Sequence, residues 1–500
     1  MQAFPLVGHL SLRELLPEAE FLGADDIRVS GCACDSRQIA AGQLFAALPG
    51  SRHDGRQFIA EAVARGCAAV LAQPPVPEIA LPTCIVANAR DAYGRICQAL
   101  AGNPSQKLKL IGITGTNGKT TTSCLIAGIL AEAGFRLGLL GTLGYLDGET
   151  LREASHTTPP ADQLATLLAR MVRHGCSHAV MEVSSHALDQ SRVAGVQFDA
   201  ACVTNVSHDH LDYHRTLYDY RLSKSKLFGY LSPEGLAVIN ADDPTSAGYL
   251  HQLDGPVLTV AMRSAAEITG TLIEQCLSEQ TFLLTAGNET APVRTRMIGV
   301  HHVYNCLIAA AVGLSYGLDL PMVVRGLEGV EQEPGRLERI ECGQPFGVFV
   351  DFAHTPDALT HCLRTLREVT QGRLLCVFGA GGDRDRQKRP PMGAAVESLA
   401  DVAIVTSDNP RSEDPWQIAA DVLQGFQEPG EAELMLDRTK AIHWALGNAR
   451  LGDCVLIAGK GHEDYQIIGD RRIPLDDREI ARTWLYEMQP YAELSSGRSN

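Results

Sequence analysis

From about residue 107 the chain alternates short apolar runs with helix-length amphipathic ones. LKLIGIT precedes a helical stretch over 118–133; HAVMEV (178–183) and AACVTN (200–205) follow, then a helix near 216–231 and LAVIN at 236–240. That alternation predicts parallel sheets covered by helices on both faces. A second series opens near 347 with GVFVDF, a helix over 356–369, RLLCVFG, a helix near 390–400, DVAIVTS, a further helix and DCVLIAG at 453–459. Between the two series, EQEPGRLER (331–339) carries a Pro-Gly pair in a polar stretch, which places a boundary near 334. The first 88 residues alternate less cleanly and hold QPPVPEIALP at 73–82, so a smaller mixed unit is expected before the helical DAYGRICQALAGNPS. The expected fold class is α/β in three domains: a small mixed α/β domain over 1–88, a central P-loop-type mononucleotide-binding domain over 89–334, and a Rossmann-like domain over 335–500.

Composition narrows the function classes. A chain of 500 residues with 45% hydrophobic content has material for several cores. The net charge of -16, unbroken by any Lys/Arg-rich run, argues against a nucleic acid surface, so an anionic ligand needs locally placed basic residues. No stretch approaches the roughly 20 apolar residues that span a bilayer, and the opening lacks the pattern of a signal peptide. The expectation is a cytoplasmic monomer with no nucleic acid or membrane partner. Fourteen scattered Cys residues without a CxxC fit reduced thiols rather than a disulfide framework or a thiolate zinc site.

The sharpest motif is GTNGKTT at 115–121. An apolar strand precedes it and a helix with Leu125, Ile126, Ile129 and Leu130 follows. Such a strand, Gly-rich turn and helix N-terminus cradle phosphate through backbone N–H groups. Gly115 and Gly118 permit close approach, Lys119 adds charge, and Thr120 offers a hydroxyl to magnesium. The strict P-loop spacing requires Gly at 113, where this chain has Ile, so the loop is a variant. Glu182, at the end of HAVMEV, stands where open α/β sheets bind ligands and suits a magnesium-associated acid. TNVSHDHLDYH (204–214) gathers His208, Asp209, His210, Asp212 and His214 after another strand. Alone it is one residue off the HxHxDH pattern of zinc metallo-hydrolases, which stays open as a remote alternative. YDYRLSKSKLF (218–228) sets Lys224 and Lys226 on a helix. DFAHTPDAL, FGAGGDRDRQKRP, TSDNPRSEDP and AGKGHEDYQ each follow a strand and supply the Arg, Asp and Gly types that handle carboxylates and phosphates.

Together these strings resemble the ATP-dependent Mur ligases of peptidoglycan synthesis, whose central domain is similar to that of folylpolyglutamate synthetases. The likeness runs from about 35 to 480 on DSR (35–37), DGRQFI (54–59), GTNGKTT, HTTP (156–159), MEVSSHALDQSR (181–192), PGRLE (334–338), GGDRDRQKRP and DNPR (408–411). It is nearest the branch that adds meso-diaminopimelate to UDP-N-acetylmuramoyl-L-alanyl-D-glutamate. The resemblance implies that ATP is held by Gly115, Thr116, Asn117, Gly118, Lys119, Thr120, Thr121 and Asn305. It assigns the UDP-substrate to Cys34, Ser36, Ser51, Arg52, His53, His156, Thr157, Thr158, Ser184, Gln190 and Arg192. Arg389, Asp408, Asn409, Pro410, Arg411, Gly459 and Glu463 would take diaminopimelate, with Arg411 clamping its distal carboxylate. Lys119, Glu182, His210 and Lys224 would be catalytic; Thr120, Glu182, His210 and a carbamate on Lys224, formed from carbon dioxide, would bind Mg2+. The Y-x-x-x-K pattern from Tyr220 selects Lys224 over Lys226. The reaction implied is amide formation through an acyl phosphate, with a lysine-adding sister or a folylpolyglutamate synthetase-like ligase as the alternatives.

Some positions depart from the family pattern. His208 stands for an Arg, Arg215 for a Gly, His301 and His302 for Phe-Asn, Phe352 for Tyr and Ala380 for Cys. The nucleotide-side contacts around 301–305 are the ones these changes touch.

Overall fold

The computed structural model describes residues 9–50, 53–207, 209, 211–330 and 335–496. The chain divides into two compact units, one of residues up to 269 with 305–327, the other of 270–304 and 328 onward. The boundary expected near 334 lies among residues 331–334, outside those described.

In the first unit a five-stranded sheet runs in the order Glu20–Leu22, Thr83–Ile85, Ala69–Ala72, Leu44–Ala46, Cys32–Ala33. Its first pair is antiparallel and the rest are parallel. The helix Ala89–Leu100 is N-capped by Asn88 and buries Ala92, Tyr93, Ile96 and Cys97 in a core shared with Leu12, Leu44 and Leu71 of this sheet. Cys32 and Cys97 meet in that core with their sulfurs 3.7 Å apart as free thiols.

The larger sheet of this unit centres on the strand Lys109–Thr114, flanked in parallel by His178–Glu182 and Phe198–Val203. Leu137–Gly141 lies beyond the first of these and Leu231–Asn240 beyond the second, all parallel. Chain connections therefore leave the central strand toward both sides, and the crevice at its carboxyl end is where an open α/β sheet presents a ligand site. Leu110, Ile111 and Ile113 are fully buried, as expected for a strand covered on both faces.

The second unit carries the hairpin Gln280–Ala286 with Glu289–Thr295 and a six-stranded sheet. That sheet is ordered Glu338–Arg339, Gly347–Asp351, Cys454–Ala458, Leu374–Phe378, Val402–Val405, Glu433–Leu434. Period-two alternation splits its strands between two cores: Leu374, Cys376 and Phe378 join one with the helices Pro356–Val369, Arg389–Leu399 and Pro415–Leu423. Leu375 and Val377 face the other, with Ile442 and Leu446 of the helix Arg438–Asn448. This is the helix-covered sheet that the apolar runs predict.

One element departs from the sequence reading. The helix expected over 216–231 stops at Ser225, tightens into a 3-10 turn over Lys226–Tyr230, and gives way to the strand from Leu231. The helix is closed by backbone bonds from the Lys226 N–H, and Gly229 and Pro233 follow where a continued helix would be costly. The hairpins at 137–146 and 280–295 have no counterpart in that reading.

Candidate functional site

The P-loop forms at the carboxyl end of Lys109–Thr114. Gly115 (φ 151°) and Gly118 (φ 82°) take conformations that L side chains rarely adopt. A Cβ at Gly115 would strike Thr204 Oγ1, and one at Gly118 would strike Asn305 Oδ1. Thr204 and Asn205 hold the loop from the neighbouring strand end. Thr204 Oγ1 donates to Asn117 O at 2.6 Å, Asn117 N donates to Asn205 Oδ1 at 3.1 Å, and Thr116 N donates to Asn205 O at 2.8 Å. Gly118 caps the helix Lys119–Glu132, whose first turn leaves N–H groups for an anion. Lys119 Nζ donates to Gly115 O at 2.9 Å and Thr116 O at 3.0 Å. The chain thus brings Gly115 to Thr121 and Asn305 into one neighbourhood.

Glu182 lies beside this loop and is 1% exposed. Its Oε2 accepts from Thr120 Oγ1 at 3.0 Å and Thr142 Oγ1 at 3.2 Å, and Oε1 accepts from Thr142 N at 2.9 Å. A Cβ on Gly141 would meet Glu182 Oε1, so a larger residue there would require the carboxylate to move. A buried carboxylate next to a threonine hydroxyl is the hard, oxygen-rich donor set that magnesium takes. His208 and His210 lie outside the described residues. Among the described residues no cluster of three His, Cys, Asp or Glu is placed to hold a metal.

Lys224 and Lys226 diverge in environment although two residues apart. Lys226 Nζ pairs with Asp189 at 3.1 Å, both partly exposed. Lys224 is 1% exposed, its Nζ donates to Gly115 O at 2.7 Å and lies 4.5 Å from the Tyr220 ring centroid. Burial holds the Lys224 ammonium well below the usual lysine range; the charge of Lys119 pushes the same way and Asp209 opposes it.

The muramoyl-side candidates form one hydrogen-bonded set around Glu182. Thr158 Oγ1 donates to Glu182 O at 2.9 Å and accepts from Ser184 N at 3.0 Å, while Thr157 Oγ1 lies 3.3 Å from Thr142 Oγ1. Arg192 donates through Nη1 to Thr158 O at 2.9 Å and through Nη2 to Gln190 Oε1 at 2.8 Å. Burial and the neighbouring Arg90 charge lower the Arg192 pKa, which marks electropositive ground. Partial desolvation and Arg192 likewise lower that of His156. Ser36, at the start of the 3-10 turn Ser36–Gln38 beyond the small sheet, donates to Glu61 at 2.8 Å, Cys34 is exposed, and His53 packs edge-on against Phe58. Ser51 and Arg52 lie outside the described residues.

The remaining candidates stand in the second unit. Asn409 Nδ2 donates to Glu463 Oε2 at 2.9 Å, and the fully buried Lys460 donates to the same oxygen at 3.0 Å and to Asn409 Oδ1 at 3.2 Å. Lys460 escaped the sequence reading although AGKGHEDYQ contains it. A Cβ on Gly459 (φ 117°) would sit 2.6 Å from Asp408 Oδ2, so a glycine is required there. Arg411 has a left-handed backbone (φ 52°) and donates from Nη1 to Gly382 O at 2.6 Å. Burial and Arg384 lower its pKa. Arg389 differs from the rest. It is fully buried with Nη1 and Nη2 on Glu413 and a further bond to Asp421 at 2.8 Å, and Glu413 is held down to about 2, first by hydrogen bonds from Arg389. In this geometry its guanidinium ties Gly381 O to Glu413 and Asp421.

Three stretches of the chain match descriptions of one family: the Mur ligase family catalytic domain over 28–98, the Mur ligase middle domain over 113–313, and the Mur ligase glutamate ligase domain over 335–461. The UDP-N-acetylmuramoyl-L-alanyl-D-glutamate--2,6-diaminopimelate ligase of Geobacillus kaustophilus is 44% identical over 91% of this chain and 94% of its own length. The chain belongs to the Mur ligase family. The like-named protein of Gloeobacter violaceus is 43% identical over 91% of this Mur ligase and 94% of its own chain. A solved structure of a ligase of that name superposes with a TM-score of 0.71 at 33% identity, covering 96% of this chain and all of the other. The folylpolyglutamate synthase of Mycobacterium tuberculosis shares the fold at 21% identity and a TM-score of 0.61. As a Mur ligase, the chain is an ATP-dependent, amide-forming enzyme.

Proposed function

We propose that this Mur ligase joins meso-diaminopimelate to the D-glutamate γ-carboxylate of UDP-N-acetylmuramoyl-L-alanyl-D-glutamate in peptidoglycan biosynthesis, releasing ADP and phosphate. The observation that carries the reading is 44% identity over nine-tenths of the chain to a ligase bearing that name. Supporting it, Arg411 stands in DNPR with a guanidinium able to pair with the second carboxylate by which diaminopimelate differs from lysine.

The chemistry follows from a poor electrophile. A carboxylate resists attack by an amine, so ATP first phosphorylates it; the amine attacks the acyl phosphate and phosphate leaves. Gly115 to Thr121 cradle the β- and γ-phosphates, Lys119 leaves its loop carbonyls to follow the transferring group, and Asn305 flanks the loop at Gly118. Thr120 and Glu182, with His210 and Lys224 as its carbamate, are the residues that would hold magnesium. Bound there, the ion offsets phosphate charge. Thr157, Thr158, Ser184, Gln190 and Arg192 orient the muramoyl-dipeptide, while Cys34, Ser36, Ser51, Arg52 and His53 take its UDP end. Arg389, Asp408, Asn409, Pro410, Arg411, Gly459 and Glu463 receive diaminopimelate, and Arg389 also braces its loop through Glu413. The working division is 1–88 for UDP-substrate, 89–334 for ATP and 335–500 for the amino acid, in a cytoplasmic monomer. No described helix is long and apolar enough to cross a membrane.

The test is phosphate release from ATP, magnesium and UDP-N-acetylmuramoyl-L-alanyl-D-glutamate, with meso-diaminopimelate against L-lysine. Release with diaminopimelate alone, together with the tripeptide product, supports the reading. Release with lysine alone discards the role of Arg411, and release with neither discards the substrate.

A further inference from the structure

Tyr220 lies one helical turn before Lys224 on the helix Leu217–Ser225, so the two side chains share a face. The phenol is 1% exposed. Its ring carries Lys224 Nζ at 4.5 Å from the centroid, and its hydroxyl stands 3.0 Å from Thr116 Oγ1 in the P-loop. Thr116 Oγ1 also accepts from Ser207 N at 2.9 Å and donates to Ser207 O at 3.3 Å. A hydroxyl has one proton and two acceptor sites. The arrangement that satisfies all three contacts has the Tyr220 O–H donating into the remaining acceptor site of Thr116. Lys224 Nζ meanwhile donates to the adjacent P-loop residue through Gly115 O, at 2.7 Å. One side chain therefore braces the P-loop at 116 and sets the height of the amine that touches it at 115.

We propose that Tyr220 is a positioning residue that couples nucleotide binding to the Lys224 site, its hydroxyl fixing Thr116 and its ring fixing the Lys224 side chain. The inference rests on the reading of Lys224 given above. A nucleotide that adjusts the P-loop then shifts Lys224 through this ring, and by linkage a change at Lys224 alters nucleotide affinity by the same factor. A tyrosine that merely fills the core and satisfies its own hydroxyl would support folding alone.

The experiment measures Mg–ADP affinity of the full chain by calorimetry, in carbon dioxide-depleted buffer and in saturating bicarbonate. It compares wild type, Tyr220→Phe, Thr116→Val and the double variant, with thermal melts alongside. Tyr220→Phe keeps the ring and its volume, so it retains the fold. Loss of this hydrogen bond is expected to weaken ADP by about three- to ten-fold, with the double variant no weaker than the worse single one. Bicarbonate is expected to strengthen ADP binding in wild type, and Tyr220→Phe to remove most of that gain. The carbamate signal from 13C-bicarbonate, assigned by its loss in Lys224→Met, should persist in Tyr220→Phe and fall in Tyr220→Leu, where the ring is gone. Wild-type ADP affinity in Tyr220→Phe, or strictly additive losses in the double variant, overturns the proposal. If wild type itself shows neither carbamate signal nor bicarbonate response, the reading of Lys224 fails. The Tyr220–Thr116 cycle alone then decides the hydroxyl's part.

Discussion

Lys119 and Lys224 donate to one oxygen, Gly115 O, at 2.9 and 2.7 Å. Two lysine side chains from different helices converge on a single P-loop carbonyl. Their mutual repulsion is one reason that Lys224 sits below the ordinary lysine pKa, behind the larger effect of burial.

That placement of Lys224 costs stability. Its folded pKa is depressed, so the unfolded chain takes up a proton that the folded one resists, and stability falls as pH drops below the ordinary lysine range. Lys224→Met is therefore expected to melt no lower than wild type at pH 7 while turnover falls at least about a hundred-fold. In Lys224→Ala, which leaves space, acetate should restore part of the activity. Full turnover in either variant would remove Lys224 from the chemistry.

Arg411→Ala should act on selectivity. Leaving the distal carboxylate of diaminopimelate without its partner is expected to cost about 3 to 5 kcal/mol of discrimination. Steady-state phosphate release should show kcat/KM for diaminopimelate falling by two orders of magnitude or more while that for lysine stays level. An unchanged ratio would locate specificity elsewhere.

Arg389 makes the opposite forecast. Its guanidinium is buried between Glu413 and Asp421, so Arg389→Leu strands two carboxylates and is expected to destabilise the protein by about 3 to 5 kcal/mol. Glu413, held at about 2, contributes stability that is present above the ordinary carboxylate range and lost as pH falls through 2. Urea unfolding of wild type and variant at pH 7 and near pH 2 checks both statements, the difference between them shrinking at the lower pH; an unaltered midpoint at pH 7 refutes the clamp.

His302 sets a separate acid limit. It is 3% exposed, and burial, aided by the Arg336 charge, pushes its pKa down to about 4. Neutral imidazole is favoured in the fold, so stability is full above the ordinary histidine value and is lost between about pH 6.5 and 4, by about 3 kcal/mol in total. His302→Leu should flatten that slope in denaturant titrations.

Much of the P-loop half of the site was legible because its parts are close in sequence. GTNGKTT after an apolar strand has few structural meanings, and Glu182 ends the neighbouring strand. Lys224 was separable from Lys226 only by family pattern, whereas burial against Gly115 O and the Asp189 pairing of Lys226 distinguish them physically. Thr142 is not legible in the sequence because its partner Glu182 lies 40 residues along the chain; Lys460 pairs locally with Glu463, but its second partner, Asn409, lies 51 residues away. The KRP motif places Arg389 among the ligand contacts, and the sequence does not show the pairing with Glu413 and Asp421 that the fold adds.

The bare backbone at Gly141 leaves the space that the Glu182 carboxylate fills. Alanine there adds a single methyl group, remote from the P-loop in sequence, yet it would occupy the space that Glu182 Oε1 fills. The carboxylate would have to swing off Thr120 and Thr142, and the strand Leu137–Gly141 would remain paired as before. A screen scoring substitutions by size or polarity would rank that change among the mildest in the chain. The molecule should register it among the most damaging, with solubility and folding intact.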